Sequence, residues 1–185
     1  SLGNDAELRR LALVRIEAEL SGKPFVLPRG VSPALAAQVM AQHAARVKSY
    51  QDAVAQEEGA LAKAKAELAA AQQNVVKLRE VVPIIQAAAD KHEELSKAGF
   101  VSQLASADRR REYVEKSQEL RVQLESVNAL QAAITQQQKK LEAVRSSYRT
   151  QLENERLDAL AQLHRINQEQ DKSSVRAGML EIRSP

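Results

Sequence analysis

The chain has 185 residues, with 27 Lys plus Arg against 24 Asp plus Glu, a net charge of +3, and no cysteine. Aromatic residues make up 3%, with two Phe, three Tyr and no Trp, too few for the wide core of an ordinary globule; the composition instead has the profile of long helices and coiled coils. The small charge excess gives little ground for nucleic-acid binding, and the lack of cysteine excludes a disulfide framework and a thiolate metal site.

Residues 4–20 read as a first helix, since Leu8, Leu11, Leu13, Ile16 and Leu20 recur near helical spacing and Asp5 and Glu7 lie near the positive N-terminal end. Residues 21–32 hold two Pro and two Gly and read as a loop, whose apolar centre Phe25-Val26-Leu27 is expected to pack against a neighbouring helix. Ser32-Pro33 then opens a helix expected over 33–98, because Ser caps free amides and Pro is tolerated at the first helical position. Within it Val47, Val54, Leu61, Leu68, Val75 and Val82 fall seven residues apart, and Tyr50, Ala64, Ala71, Leu78 and Ile85 follow three later, with Glu57 the exception. That repeat is a coiled-coil seam. Pro83 predicts a kink near 79–83, the alternative being a helix that ends there.

Gly99 suits the position just past a helix end, and Ser102 suits the cap of the next helix, so 99–102 reads as a tight turn. A second arm is expected over 103–172, with Tyr113, Leu120, Val127, Ile134, Leu141 and Tyr148 at intervals of seven. Gln136, Gln137 and Gln138 thin its stripe, as a register device or a solvated stretch. A short connection implies antiparallel neighbours. The fold class is therefore all-α: a short helix, then a long antiparallel helical hairpin about 90 to 100 Å in length at about 1.5 Å of rise per residue. Residues 175–185 carry an alternating run, with Leu180 and Ile182 on one face and Glu181 and Arg183 on the other, expected as a terminal β-strand remnant leading into a further, β-rich module.

Signatures of catalysis are missing. His43, His92 and His164 are far apart, no Gly-rich phosphate loop or G-x-S-x-G is present, and the adjacent pairs Glu57-Glu58 and Glu93-Glu94 point to different helix faces. The expectation is a protein that is no enzyme, with no catalytic residue, metal, cofactor or small-molecule substrate. Arg109-Arg110-Arg111 is flanked by Asp108 and Glu112 without interleaved aromatics, which favours solvated or interhelical ion pairing over phosphate binding. No apolar run approaches the roughly 20 residues needed to cross a bilayer.

The stretch Lys91-x-x-x-Leu95 followed by Gly99-Phe100-Val101-Ser102 resembles the hairpin tip of the HlyD family of periplasmic adaptor, or membrane fusion, proteins. Members often carry Arg, Leu four residues later and Ser seven after that; here Leu95 and Ser102 keep the spacing and Lys91 stands in place of Arg, retaining the charge but not the planar fork. Val82-Pro83-Ile84-Ile85 is similar to an element of toxin-secretion members, and Leu180-Glu181-Ile182-Arg183-Ser184-Pro185 to the strand that re-enters their lipoyl-like domain.

The resemblance implies a type I secretion adaptor in the periplasm, anchored in the inner membrane by a segment outside these residues. It implies an inner-membrane ABC exporter and a TolC-type outer-membrane channel as partners, and a ring of copies, commonly six. Lys91, Leu95, Gly99, Phe100 and Ser102 are the implied channel contacts. The rival readings are a scaffolding coiled coil with no channel partner, and an RNA-binding arm whose salt-sensitive binding would depend on Arg109 to Arg111.

Overall fold

The computed structural model describes residues 1–183, which form three helices: α1 (Leu2–Ser21), α2 (Pro33–Lys97) and α3 (Gln103–Arg183). Local chemistry sets each boundary. The Ser1 hydroxyl accepts the Asn4 N–H at 3.3 Å, and α1 stops at Gly22, whose φ of 72° is the left-handed conformation that glycine adopts without a Cβ penalty. Ser32 caps α2, its hydroxyl accepting the Leu35 N–H at 3.3 Å, with Pro33 in the first helical position.

α2 runs unbroken through Pro83. Pro83 is exposed, one residue past the half-buried Val82 of the seam. The carbonyl of Arg79, which loses its helical donor to the proline ring, is therefore on the side where water can replace it.

Residues 175–183, expected as a strand, instead continue α3, and no strand occurs among the described residues. A single strand leaves its backbone groups unpaired without a neighbouring edge, whereas a helix pairs them within itself. The period-two pattern of Leu180 and Ile182 does not override that requirement, and both side chains are exposed, at 71% and 87%. Ser184 and Pro185, the end of the expected strand, lie outside the described residues.

The contacts divide the chain into two units, 1–55 with 142–185, and 56–141. The second unit is an antiparallel helical hairpin: Asp90 meets Arg110 at 2.8 Å, and Glu57 meets Gln137 near its other end, so residues about equally far from the turn face each other. Its buried residues Ala71, Val75, Leu78 and Ala89 follow the heptad stripe of α2, with Leu141 on α3. The seam is narrow, and small residues let the helices approach.

The first unit is a three-helix arrangement. α1 contributes Ala6, Leu11, Ile16 and Ala18 to its core, α2 contributes Val39, and α3 contributes Leu152 and Ala159. Arg15 lies in the same buried stripe, 4% exposed, between Leu11 and Ala18.

Candidate functional site

The turn joining α2 to α3 is fixed from both sides by backbone hydrogen bonds. Phe100 N–H donates to the Leu95 carbonyl at 2.8 Å and Gly99 N–H to the Ser96 carbonyl at 3.0 Å, the paired bonds of a Schellman ending, with Gly99 at φ 82°. Ser102 then starts α3: its hydroxyl accepts the Ala105 N–H at 3.0 Å and its carbonyl accepts the Ser106 N–H at 3.1 Å. The connection is thus short because each helix end supplies its own closure.

Of the residues singled out from the sequence, Leu95, Gly99, Phe100 and Ser102 fall in this one turn. Leu95 is half-buried and its carbonyl is engaged, while the Ser102 hydroxyl oxygen is occupied as a cap. Phe100 projects outward, 79% exposed. Lys91 lies one helical turn before Leu95, with its ammonium 3.5 Å from Glu94 on the same helix. Sequence reasoning passed over Leu104, which is 73% exposed in the first turn of α3. Its signal was a large apolar residue that fits no position of the heptad stripe.

The basic run beside the tip is paired within the chain. Arg110 reaches across to α2, donating to Asp90 at 2.8 Å and Glu93 at 2.9 Å, with its guanidinium 5.7 Å from the centre of the Tyr113 ring. Arg109 lies 3.5 Å from Glu112, and Arg111 lies 3.2 Å from Asp108. These are exposed pairs, each worth little to stability.

A second polar cluster, in the first unit, has a different character. The Glu19 carboxylate, fully buried, accepts from Arg15 at 3.0 and 3.1 Å and from the Tyr148 hydroxyl at 3.4 Å, and lies 2.9 Å from Nδ1 of His43. Arg15 also donates to Glu155 at 3.2 Å, and Arg46 donates to the other oxygen of Glu155. Tyr148 stacks on Tyr50 with ring centres 3.9 Å apart, and Phe25 of the loop packs on the His43 ring at 4.9 Å. Burial, followed by the negative charge of Glu19 and the hydrogen bond to it, pushes the Tyr148 phenol up to about 12. Among the described residues no buried side-chain polar atom lacks a hydrogen-bond partner. The cluster is a completed joint among three helices.

Signals for this joint were present in the sequence. Arg15 and Glu19 are oppositely charged, four residues apart, and stand where the α1 stripe of Leu8 and Leu11 would continue. Among the described residues no group of three His, Cys, Asp or Glu side chains is placed to hold a metal ion, and no helix is long and apolar enough to cross a membrane.

No family model and no curated protein matches the chain. Among solved structures it is similar to the crystal structure of the soluble domain of LipC, a membrane fusion protein of a type I secretion system, with a TM-score of 0.83 over 100% of this chain and 91% of that one. Identity is 13%, so the likeness shows a shared fold. It falls on the same class of protein that the tip and the Pro83 element resemble in sequence.

Proposed function

We propose that the protein is the periplasmic adaptor of a type I protein secretion system. The observation that carries this reading is the likeness of the whole chain to the soluble domain of a type I secretion membrane fusion protein. The capped turn is in keeping with it, since a rigid helical arm that presents a small fixed tip suits reach and docking rather than catalysis. In this reading the protein is no enzyme and takes no metal, cofactor, nucleic acid or small-molecule substrate. It is held in the inner membrane by a segment outside these residues, works with an ABC exporter there, and assembles as a ring of copies, six being the expected number. The tip meets a TolC-type outer-membrane channel.

The test is genetic and direct. In a strain lacking the protein, the exported substrate is expected to disappear from the medium and accumulate in cells, with recovery when the full-length gene is restored. Undiminished export from the deletion strain would sink the proposal, leaving the coiled-coil scaffold as the better reading. Salt-sensitive RNA binding lost on neutralising Arg109, Arg110 and Arg111 would favour the RNA-binding arm.

A further inference from the structure

We infer that the loop between α1 and α2 captures an extended polypeptide segment of another protein, which adds as a strand beside Phe25-Val26-Leu27, lays apolar side chains over the adjoining groove, and sets acidic residues against Lys23 and Arg29.

The loop is already in the form that an incoming strand needs. Residues 23–28 are neither helix nor turn, and Pro24 and Pro28 keep the residues before them, Lys23 and Leu27, in the extended region. Burial alternates along the run: Phe25 and Leu27 are half-buried, with Phe25 on the His43 ring at 4.9 Å, while Val26 is 72% exposed. Among the described residues no hydrogen bond reaches the main chain of Phe25, Val26 or Leu27. These three residues form an edge with its donors and acceptors free, and because it is held in place beforehand little freedom is lost on pairing. Proline has no N–H, so Pro24 and Pro28 end the edge on both sides and limit it to one short strand.

Beside this edge lies a groove of about 600 Å³, lined by Leu13, Val14 and Ala18 of α1, Pro24 and Val26 of the loop, and Leu160 of α3. In strand addition the main chain supplies affinity and pockets for alternate side chains supply choice, so the groove selects apolar residues at the centre of the segment. Charge selects its ends. Glu17 lies 3.9 Å from Arg156, and Glu19 is taken up by Arg15 in the buried joint, whereas Lys23 and Arg29, which bracket the edge, have no ion pair among the described residues. Acidic residues at both ends of the segment answer them. A second copy of this chain does not fit as the partner. Outside its loops it is helical, with its main chain already paired, and pairing two loops about Val26 would set Lys23 of one copy against Arg29 of the other, like charges facing each other across the strands.

The experiment measures binding of fluorescent synthetic heptapeptides to the 185-residue chain by anisotropy. The probe alternates valine and threonine between two terminal glutamates; one control carries terminal lysines instead, and another is N-methylated on its central amides. The glutamate peptide should bind about tenfold more tightly than the lysine peptide and about tenfold more tightly than the N-methylated one, which lacks the main-chain donors. Lys23→Glu with Arg29→Glu should reverse the preference between the two charged peptides, and Val26→Pro, which removes an N–H from the edge, should weaken binding about threefold or more. Matching melting curves show that these variants remain folded, and the peptide controls read the unaltered chain in any case. The inference is overturned if the glutamate peptide does not bind at about 1 mM, if it binds no better than both controls, or if the double charge reversal leaves the preference unchanged. Self-association of the chain that the peptide displaces would give the surface to a second copy and overturn it as well. The adaptor reading stands apart from all of these outcomes, since export from the deletion strain tests it.

Discussion

Gln137 on α3 donates to the side chain of Glu57 on α2 and, at 3.3 Å, to the Glu57 main-chain carbonyl. Each is the residue at which its own apolar stripe fails, Glu57 among the heptads of α2 and Gln137 within the run 136–138 of α3. The two interruptions meet. Sliding one helix along the other by a heptad would set each against an apolar residue and leave a half-buried polar group unpaired, so the pair fixes register.

That arrangement predicts a non-additive mutant series. Glu57→Leu alone, or Gln137→Leu alone, leaves one polar partner unmatched and should destabilise the hairpin unit by about 1 to 3 kcal/mol. The double replacement removes both polar groups and should be neutral or stabilising, at the cost of a less defined register. Urea denaturation of all four proteins supplies the coupling energy. Additive losses would show that the two residues do not act together.

The joint at Glu19 predicts a larger single effect. Arg15→Ala would remove an arginine that donates two hydrogen bonds to the fully buried Glu19 carboxylate, and losing one member of a buried ion pair costs about 3 to 5 kcal/mol. Melting of the first unit should move to lower temperature, while signals from the tip region should be unaffected. Replacing Arg15 and Glu19 together by Met and Leu should restore much of the loss, because apolar residues of similar volume avoid the desolvation of both charges.

The sequence announced the parts of this fold that depend on spacing. Heptads of Val and Leu marked the seam, and Gly99 and Ser102 marked the turn, since both signals follow from local backbone and packing rules. It announced poorly what depends on partners distant in the chain. The place of Arg15 and Glu19 in the α1 stripe could be read locally, but that Glu155, 140 residues away, lies opposite Arg15 could not. Leu180 and Ile182 alternate as in a strand, yet the choice between strand and helix turns on whether a neighbouring edge exists, which no local pattern encodes. Among the tip residues, Phe100 was named from sequence, whereas Leu104, legible as a large apolar residue outside the heptad stripe, was passed over.

Tyr148 links this joint to pH. Its phenol has an ordinary value of 10.0 and is raised to about 12 in the fold, chiefly by burial. A group whose folded value is raised contributes stability that is fully present below pH 10 and is lost as pH rises through about 12. Thermal unfolding should therefore fall more steeply with pH across that window in the unaltered chain than in Tyr148→Phe, which cannot ionise. Every other ionisable group is common to both proteins, so the difference between the two curves isolates the phenol. Parallel curves would contradict the assignment.

Changes at Ser102 and Gly99 separate the folding of the tip from its docking. Ser102→Ala deprives the Ala105 N–H of its acceptor and should cost about 0.5 to 2 kcal/mol, whereas Ser102→Asp supplies a carboxylate that accepts the same bond and suits the positive end of α3. Gly99→Ala forces a Cβ into a φ of 82°, with an expected loss of about 1 to 2 kcal/mol, although no atom lies within 4 Å of where that Cβ would stand. The loss would therefore come from backbone strain and not from a clash. If Ser102 acts as a cap, Ser102→Asp should match the unaltered protein in amide exchange of Ala105 and Ser106, while Ser102→Ala exchanges faster at both. Export by the full-length protein then distinguishes the two roles. A capping Ser102 predicts that Ser102→Asp exports at the normal level, whereas a Ser102 that touches the channel predicts lost export from a tip that is still folded.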